Sequence, residues 1–196
     1  MSAQYLRPVV VWFLMVSGVS GLPETRAMAA REQPAAGESP DSVQCQQRLS
    51  AYVRLHREAA DQLVLAGVDP DVNGGAVFRE ALANAIRSRR RHARAGDTFC
   101  PGTAPRIVQF VRANMAARSF EDRQAILSSV PRVLQVRVND AYPTNAPLAT
   151  VPPLLLLHFQ PLPPELQYRF LERALILLDV DANLIVDFIP AVLPRY

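Results

Sequence analysis

Three aspartates near the C-terminus, Asp179, Asp181 and Asp187, have types and spacing that could support acid–base chemistry. Carboxylates beside a histidine can activate water for hydrolysis, and the histidines of the chain are His56, His92 and His158. Solvation in a hairpin loop explains Asp179 and Asp181 more simply. Asp187 differs because apolar residues flank it on both sides. An acid in such a run needs a partner, for which Arg169 is our candidate.

Residues 69–80 match the calcium-loop pattern D-x-[DN]-x-[DN]-G-x5-E, through Asp69, Asp71, Asn73, Gly74 and Glu80. Calcium takes six to eight oxygen ligands, and this spacing can wrap carboxylates around one ion. Pro70 stiffens the second position, and the chain has no second loop to pair with this one. We therefore favour an ordinary helix–helix turn built from turn and cap residues, with a calcium-binding module as an alternative.

Five arginines crowd eight consecutive positions: Arg87, Arg89, Arg90, Arg91 and Arg94. Such a cluster can bind anionic lipid, lipopolysaccharide or nucleic acid. It can also be the solvated end of a helix, where cations favour the negative end of the dipole, and we prefer this interpretation. No aromatic residue lies among the arginines, so base stacking is unsupported and we expect no nucleic-acid partner.

The sequence lacks the motifs of phosphate-binding loops, dinucleotide folds, serine-hydrolase elbows and zinc proteases. We therefore predict no catalytic residue, metal ligand or cofactor. Its 196 residues are 49% hydrophobic, which excludes a wholly disordered chain. The net charge is only +3, so charge gives little reason to expect a polyanionic partner.

Apolar periodicity predicts an N-terminal helical hairpin over residues 40–66 and 75–95, with Gly67 and Gly96 ending its helices. Further helices are expected over residues 104–117 and 119–129, the latter opened by a capping-box-like start at Ser119. A helical turn is favoured over a buried strand at residues 154–157, because prolines precede it.

Strand-like patterns follow in the C-terminal part. Residues 133–138 alternate between apolar and polar side chains and predict a half-buried strand. Residues 166–171, 174–180 and 184–189 predict an antiparallel meander. The last two runs are apolar on both faces, so we expect both sides of the sheet to be covered. The fold class is therefore α+β, with a helical half (40–130) and a sheet of three to four strands (131–196).

The two cysteines, Cys45 and Cys100, fall near the open end of the predicted hairpin. The number of residues from Cys45 to the end of the first helix is close to the number from the start of the second helix to Cys100. Both helices rise about 1.5 Å per residue. The two positions therefore lie at similar heights, and we predict a disulfide. Two unrelated buried thiols are the alternative.

The first thirty residues predict export. An apolar run of about 15 residues is too short to span a bilayer as a helix, and Ala27, Met28 and Ala29 form a small-x-small cleavage pattern. We predict a cleaved signal peptide over residues 1–29, with an uncleaved N-terminal anchor as the alternative. Residues 30–39 predict a disordered linker, and residues 40–196 a single domain. No later segment is apolar enough to span a membrane, so the mature chain is not expected to be an integral membrane protein.

Several segments resemble a group of bacterial exported proteins without an assigned activity. The matching stretches lie at residues 93–99, 141–143, 147–153, 162–170 and 179–190, about half of the mature chain. The resemblance carries no catalytic residue over. In those proteins a glycine follows the Tyr-Arg-Phe segment, where this chain has Glu172, so a tight glycine turn is in doubt here.

These observations predict a periplasmic or secreted bacterial protein with a non-enzymatic interaction or accessory role. Its partner would be another protein or a second copy of the chain. A hydrolase using Asp179, Asp181 or Asp187 with a histidine is the first alternative, and it requires a pocket that gathers those residues with His56 or His158. The calcium module at residues 69–80 is the second.

Overall fold

Three helices form the hairpin at the start of the described chain. The structure, a computed structural model, describes residues 40–100, 102–147 and 149–195. Helix α1 (Pro40–Leu65) packs against α3 (Gly75–Arg89), and the short α2 (Pro70–Asn73) lies in the connection. Gly67 adopts a φ of +81° just after α1, a conformation that glycine accepts without steric cost. The predicted hairpin is confirmed.

The predicted signal peptide (residues 1–29) and linker (30–39) lie outside the described residues. Both therefore stay predictions, as does the cleavage site. Among the residues that are described, no helix is both long enough and apolar enough to cross a membrane.

Helix α3 ends six residues earlier than its periodicity predicts, at Arg89 rather than Ala95. Arg90 leaves the helical conformation, and its side chain turns inward to donate to the Val186 carbonyl at 3.1 Å. The chain beyond Arg90 forms turns whose N–H groups bind the buried carboxylate of Asp187. These contacts hold the segment after α3 against β3 in turns.

Three more helices follow: α4 (Ala104–Ala116), α5 (Phe120–Ser129) and α6 (Pro153–Leu156). Ser119 caps α5, because its hydroxyl accepts a hydrogen bond from the Asp122 N–H at 3.0 Å. Proline occupies the first turn of α4 and of α6, where its missing N–H costs nothing. The predictions for these helices are confirmed to within one residue at each end.

The strand predicted at residues 133–138 is wrong. This segment is irregular, and Leu134, on its supposed apolar face, is fully exposed. Pairing with the sheet begins only afterwards, where Asn139 donates to the Ile185 carbonyl and Ala141 forms a single bridge with Leu184. Alternation alone does not make a strand, because a strand also needs a neighbour with free backbone groups at the right place.

The sheet is an antiparallel meander of β1 (Leu166–Leu171), β2 (Ala174–Asp179) and β3 (Leu184–Ile189), in that order. Every residue of the central strand β2 is buried. Leu175 and Leu177 belong to a larger core shared with the helices, whereas Ile176 and Leu178 belong to a smaller core with Tyr142. Both faces are therefore covered, as the two-sided apolar pattern predicts.

Candidate functional site

Asp179, at the end of β2, has a fully buried carboxylate that meets α1. Its Oδ2 accepts the Tyr52 hydroxyl at 2.7 Å and lies 2.6 Å from Nδ1 of His56. Its Oδ1 accepts the N–H groups of Asp181 and Ala182 at 3.1 and 2.9 Å. The interpretation of Asp179 as a solvated loop residue is therefore wrong. Position 179 continues the alternation of Leu175 and Leu177, which points it at the helices.

His56 lies between two carboxylates. Its side chain is almost completely buried, with Nδ1 on Asp179 and Nε2 3.6 Å from Oδ2 of the exposed Asp181. Burial acts to lower the pKa of His56, but the hydrogen bond and charge of Asp179, with Asp181 and Glu165, outweigh it. The pKa is therefore raised above its ordinary value of 6.5.

Tyr52 and Arg90 extend this cluster toward the end of α3. Burial, followed by the charge of Asp179, raises the pKa of the Tyr52 phenol well above its usual value, so Tyr52 acts as a permanent hydrogen-bond donor. The Arg90 guanidinium lies 4.8 Å from the centroid of the Tyr52 ring, a cation–π contact. Burial also lowers the pKa of Arg90.

Asp187 is a second buried carboxylate with a structural task. It accepts the N–H groups of Gly96, Thr98, Phe99 and Phe188 at 2.6–2.7 Å. The predicted partner Arg169 is wrong, because backbone donors of the turn after α3 satisfy the carboxylate instead. Burial raises the pKa of Asp187 although these four donors oppose it. The residue ties the turn that carries Cys100 to β3.

The disulfide between Cys45 and Cys100 is confirmed. Their Cα atoms lie 5.4 Å apart, within the range that a disulfide requires. Both residues are buried. The segment after α3 follows α1 back toward its start, with Arg48 of α1 donating to the Gly96 carbonyl at 3.1 Å.

The carboxylates of the calcium-loop pattern form no metal-compatible group within the described ranges. The Asp69 carboxylate caps α2 by accepting the Asp71 N–H at 2.8 Å, and Asp71 and Glu80 are exposed. A metal-compatible group of three His, Cys, Asp or Glu residues occurs at His56, Asp179 and Asp181. Within the described ranges it is the only such group, so the geometry gives the calcium alternative no support.

Arginines of the cluster donate hydrogen bonds to backbone carbonyls of the chain itself. Arg87 donates to the Asn139 carbonyl at 2.9 Å, Arg89 to the Ala85 carbonyl at 2.8 Å and Arg91 to the Ser88 carbonyl at 3.2 Å. Two of these acceptors lie in the last turns of α3, as expected for a cationic helix end.

An apolar cavity of about 620 Å³ lies beside the disulfide. Four aromatic rings line it, together with aliphatic side chains of α1, α4 and β2: Phe99, Phe110, Phe159, Tyr168, Leu49, Ile107 and Leu177. A few polar side chains join them: Thr98, Thr103, Arg106, Gln109, His158 and Gln160. Its size and mixed lining are those of a small-molecule site.

The histidines thus separate. His158 lines the cavity, with its ring centroid 4.2 Å from that of Phe110, whereas His56 lies in the aspartate cluster and His92 is exposed. His56, Asp179 and Asp181 do not line the cavity beside the disulfide. The hydrolase alternative requires a His–Asp contact and a pocket; the described residues show the contact at His56 and Asp179, and the cavity beside the disulfide does not include it.

Sequence reasoning brought His56 and Asp179 together only within the hydrolase alternative and did not predict their direct contact. The available signal was that His56 lies on the apolar stripe of α1 and Asp179 lies on the side of β2 that faces the helices. The cavity residues had no such signal, because they come from five separate segments. Comparison with known proteins adds no assignment: no protein family, curated protein or solved structure matches the chain.

Proposed function

We propose that this chain is an exported accessory protein that binds a small organic anion with an aromatic or other apolar body, without transforming it. The cavity beside the Cys45–Cys100 disulfide is the observation that carries the proposal. Export is supported by the N-terminal apolar run and by the disulfide, since such bonds persist in oxidising compartments.

The lining favours a planar apolar group. Phe159 and Tyr168 meet edge to face with centroids 5.1 Å apart, and Phe99 stacks on the same tyrosine at 6.1 Å. Aromatic walls attract rings through both buried area and quadrupole geometry. Both cysteines of the Cys45–Cys100 disulfide line the cavity, so a covalent bond restrains that part of its wall.

Arg106 supplies the preference for an anion. It is an exposed residue of α4 that lines the cavity, and none of the hydrogen bonds or ion pairs of the described residues engages it. A carboxylate or sulfonate can accept two parallel hydrogen bonds from a guanidinium. Gln109 and Gln160 provide further donors at the same lining.

Titration calorimetry with naphthoate and its neutral analogue naphthylmethanol tests this function in the full chain. We expect saturable binding of naphthoate, weakened about tenfold by Arg106→Gln, a loss of about 1.4 kcal/mol. Binding of naphthylmethanol should be unchanged by that substitution. Ala113→Trp, which fills the cavity from α4, should abolish both.

Arg123→Gln on α5 is the matched control, since Arg123 is not a cavity residue. The proposal is wrong if neither compound binds, or if Ala113→Trp folds normally and still binds naphthoate as the wild-type chain does.

A further inference from the structure

We propose that a second cavity, between the loop at residues 142–146 and the face of the sheet that packs against Tyr142, binds a small phosphate monoester. Its volume is about 460 Å³. It shares no lining residue with the cavity beside the disulfide. The proposal therefore does not rest on the proposed function, and the two can fail separately.

The pleat of the sheet separates the two cavities. Gln167 and Arg169 of β1 line the second cavity, whereas Tyr168 between them lines the cavity beside the disulfide. Their partners on β2 follow the same alternation: Leu177, opposite Tyr168, lines the first cavity, and Leu178, opposite Gln167, lines the second. Successive side chains of a strand point to opposite faces, so the two cavities lie on opposite sides of the sheet.

Arg169 brings a positive charge to this cavity without an acidic partner. Asp187, its predicted partner, is bound by backbone N–H groups instead. The Nη2 of Arg169 donates to Oε1 of Gln167, but its Nε is buried and has no hydrogen-bond partner among the described residues. A buried donor without an acceptor is costly. An oxyanion beside this guanidinium would supply both the acceptor and the opposite charge.

A second guanidinium reaches the same cavity from α3. Arg79 lines the cavity and is exposed, and no hydrogen bond or ion pair of the described residues involves it. Among the described residues that line the cavity, none is acidic. Two cations from separate elements, without a carboxylate between them, favour an anion that carries two charges.

The rest of the lining favours a phosphate monoester among such anions. A phosphate monoester carries nearly two charges at neutral pH and has three strong acceptor oxygens, which arginine binds through paired hydrogen bonds. Thr144 and Gln167 add polar groups at the same lining. The cavity is larger than a phosphate group, and Pro143, Leu178 and Val180 offer apolar contacts to a short organic body.

Calorimetric titration of the full chain with glycerol 3-phosphate, inorganic phosphate and glycerol tests the site. We expect saturable binding of glycerol 3-phosphate, weaker binding of inorganic phosphate, and no saturable heat from glycerol. Arg169→Gln and Arg79→Gln should each weaken glycerol 3-phosphate binding at least about tenfold, because each removes a charged hydrogen-bond donor. Arg89→Gln, at another exposed arginine of α3 that does not line this cavity, is the matched control and should leave the affinity unchanged.

The two cavities are separated by one further variant. Arg106→Gln, in the cavity beside the disulfide, should leave glycerol 3-phosphate binding unchanged, and Arg169→Gln should leave naphthoate binding unchanged. Loss of glycerol 3-phosphate binding in Arg106→Gln, with wild-type affinity in Arg169→Gln, would place the anion in the other cavity and overturn the proposal.

Three further outcomes contradict the proposal. The first is the absence of saturable glycerol 3-phosphate binding by the wild-type chain. The second is wild-type affinity in Arg79→Gln and Arg169→Gln, variants whose ligand-free melting curves report whether they fold. The third is tighter binding of inorganic phosphate than of glycerol 3-phosphate, which would overturn the assignment to a monoester.

Discussion

The buried hydrogen-bond cluster of Tyr52, His56 and Asp179 joins the longest helix to the sheet. Asp179 gathers four donors on two oxygens, so its charge is compensated without a lysine or arginine in direct contact. Such a carboxylate specifies one register of α1 against β2, because any shift would leave it buried and unpaired.

The stability of the protein should fall as pH rises past 6.5. The folded chain raises the pKa of His56 above that value, so protonation favours the folded state. This contribution is fully present below 6.5 and is lost as pH rises through the folded pKa. Urea unfolding at a series of pH values measures this contribution.

His56→Gln should remove this part of the pH dependence, and His92→Gln, at an exposed position, should retain it. A wild-type free energy of unfolding that rises between pH 6.5 and 9 by more than that of His56→Gln would contradict the assigned direction.

At the scale of the element, the turn between β1 and β2 is tight although no glycine is present. Leu171 pairs with Ala174, which leaves Glu172 and Arg173 as the two turn residues, and Glu172 adopts a φ of +53°. A tight turn therefore forms without the glycine, and Glu172 takes the strained conformation.

Glu172→Gly should raise the free energy of unfolding by about 0.5–1 kcal/mol. Glycine adopts a positive φ without the steric cost borne by other residues, and this gain exceeds its entropic loss at such a position. Chemical denaturation measures the difference.

Asn183→Gly provides the comparison, because Asn183 also has a positive φ, of +51°, but its side chain donates to the Tyr142 carbonyl at 2.9 Å. Asparagine tolerates this conformation, so we expect no gain there. Equal stabilisation by both substitutions would show that strain at Glu172 is not the cause.

At the scale of the whole molecule, the Cys45–Cys100 disulfide closes a loop that contains α2, α3 and most of α1. The cysteines are 55 residues apart. The turn that carries Cys100 is also tied to β3 through Asp187, so one covalent bond and one buried carboxylate hold helices and sheet together.

Reduction of this disulfide should lower the free energy of unfolding by about 4 kcal/mol, because the unfolded chain regains the entropy of an open loop. Guanidinium denaturation with and without dithiothreitol measures this change. The paired variant Cys45→Ala with Cys100→Ala should be insensitive to the reductant. An oxidised and a reduced wild-type chain of equal stability would refute the estimate.

Local patterns in the sequence were sufficient to predict most of the helices and strands. The stripe of α1, the prolines and Ser119 at helix starts, and the apolar runs of the meander each act within a few residues, so their consequences appear without knowledge of the fold. The disulfide was also predicted correctly, although α3 ends at Arg89 and the turns after it, rather than helical rise, bring Cys100 back to α1.

Tertiary structure alone decided the rest. Residues 133–138 alternate like a strand, but whether a ladder forms depends on a neighbour that the segment cannot specify. Helix α3 ends early where Arg90 turns inward to the Val186 carbonyl, 96 residues away in sequence, and the turns that follow bind Asp187. Asp179 becomes a buried acceptor because α1 presents Tyr52 and His56 to it. Each of these outcomes depends on where a distant partner lies, and local periodicity contains no information about that distance.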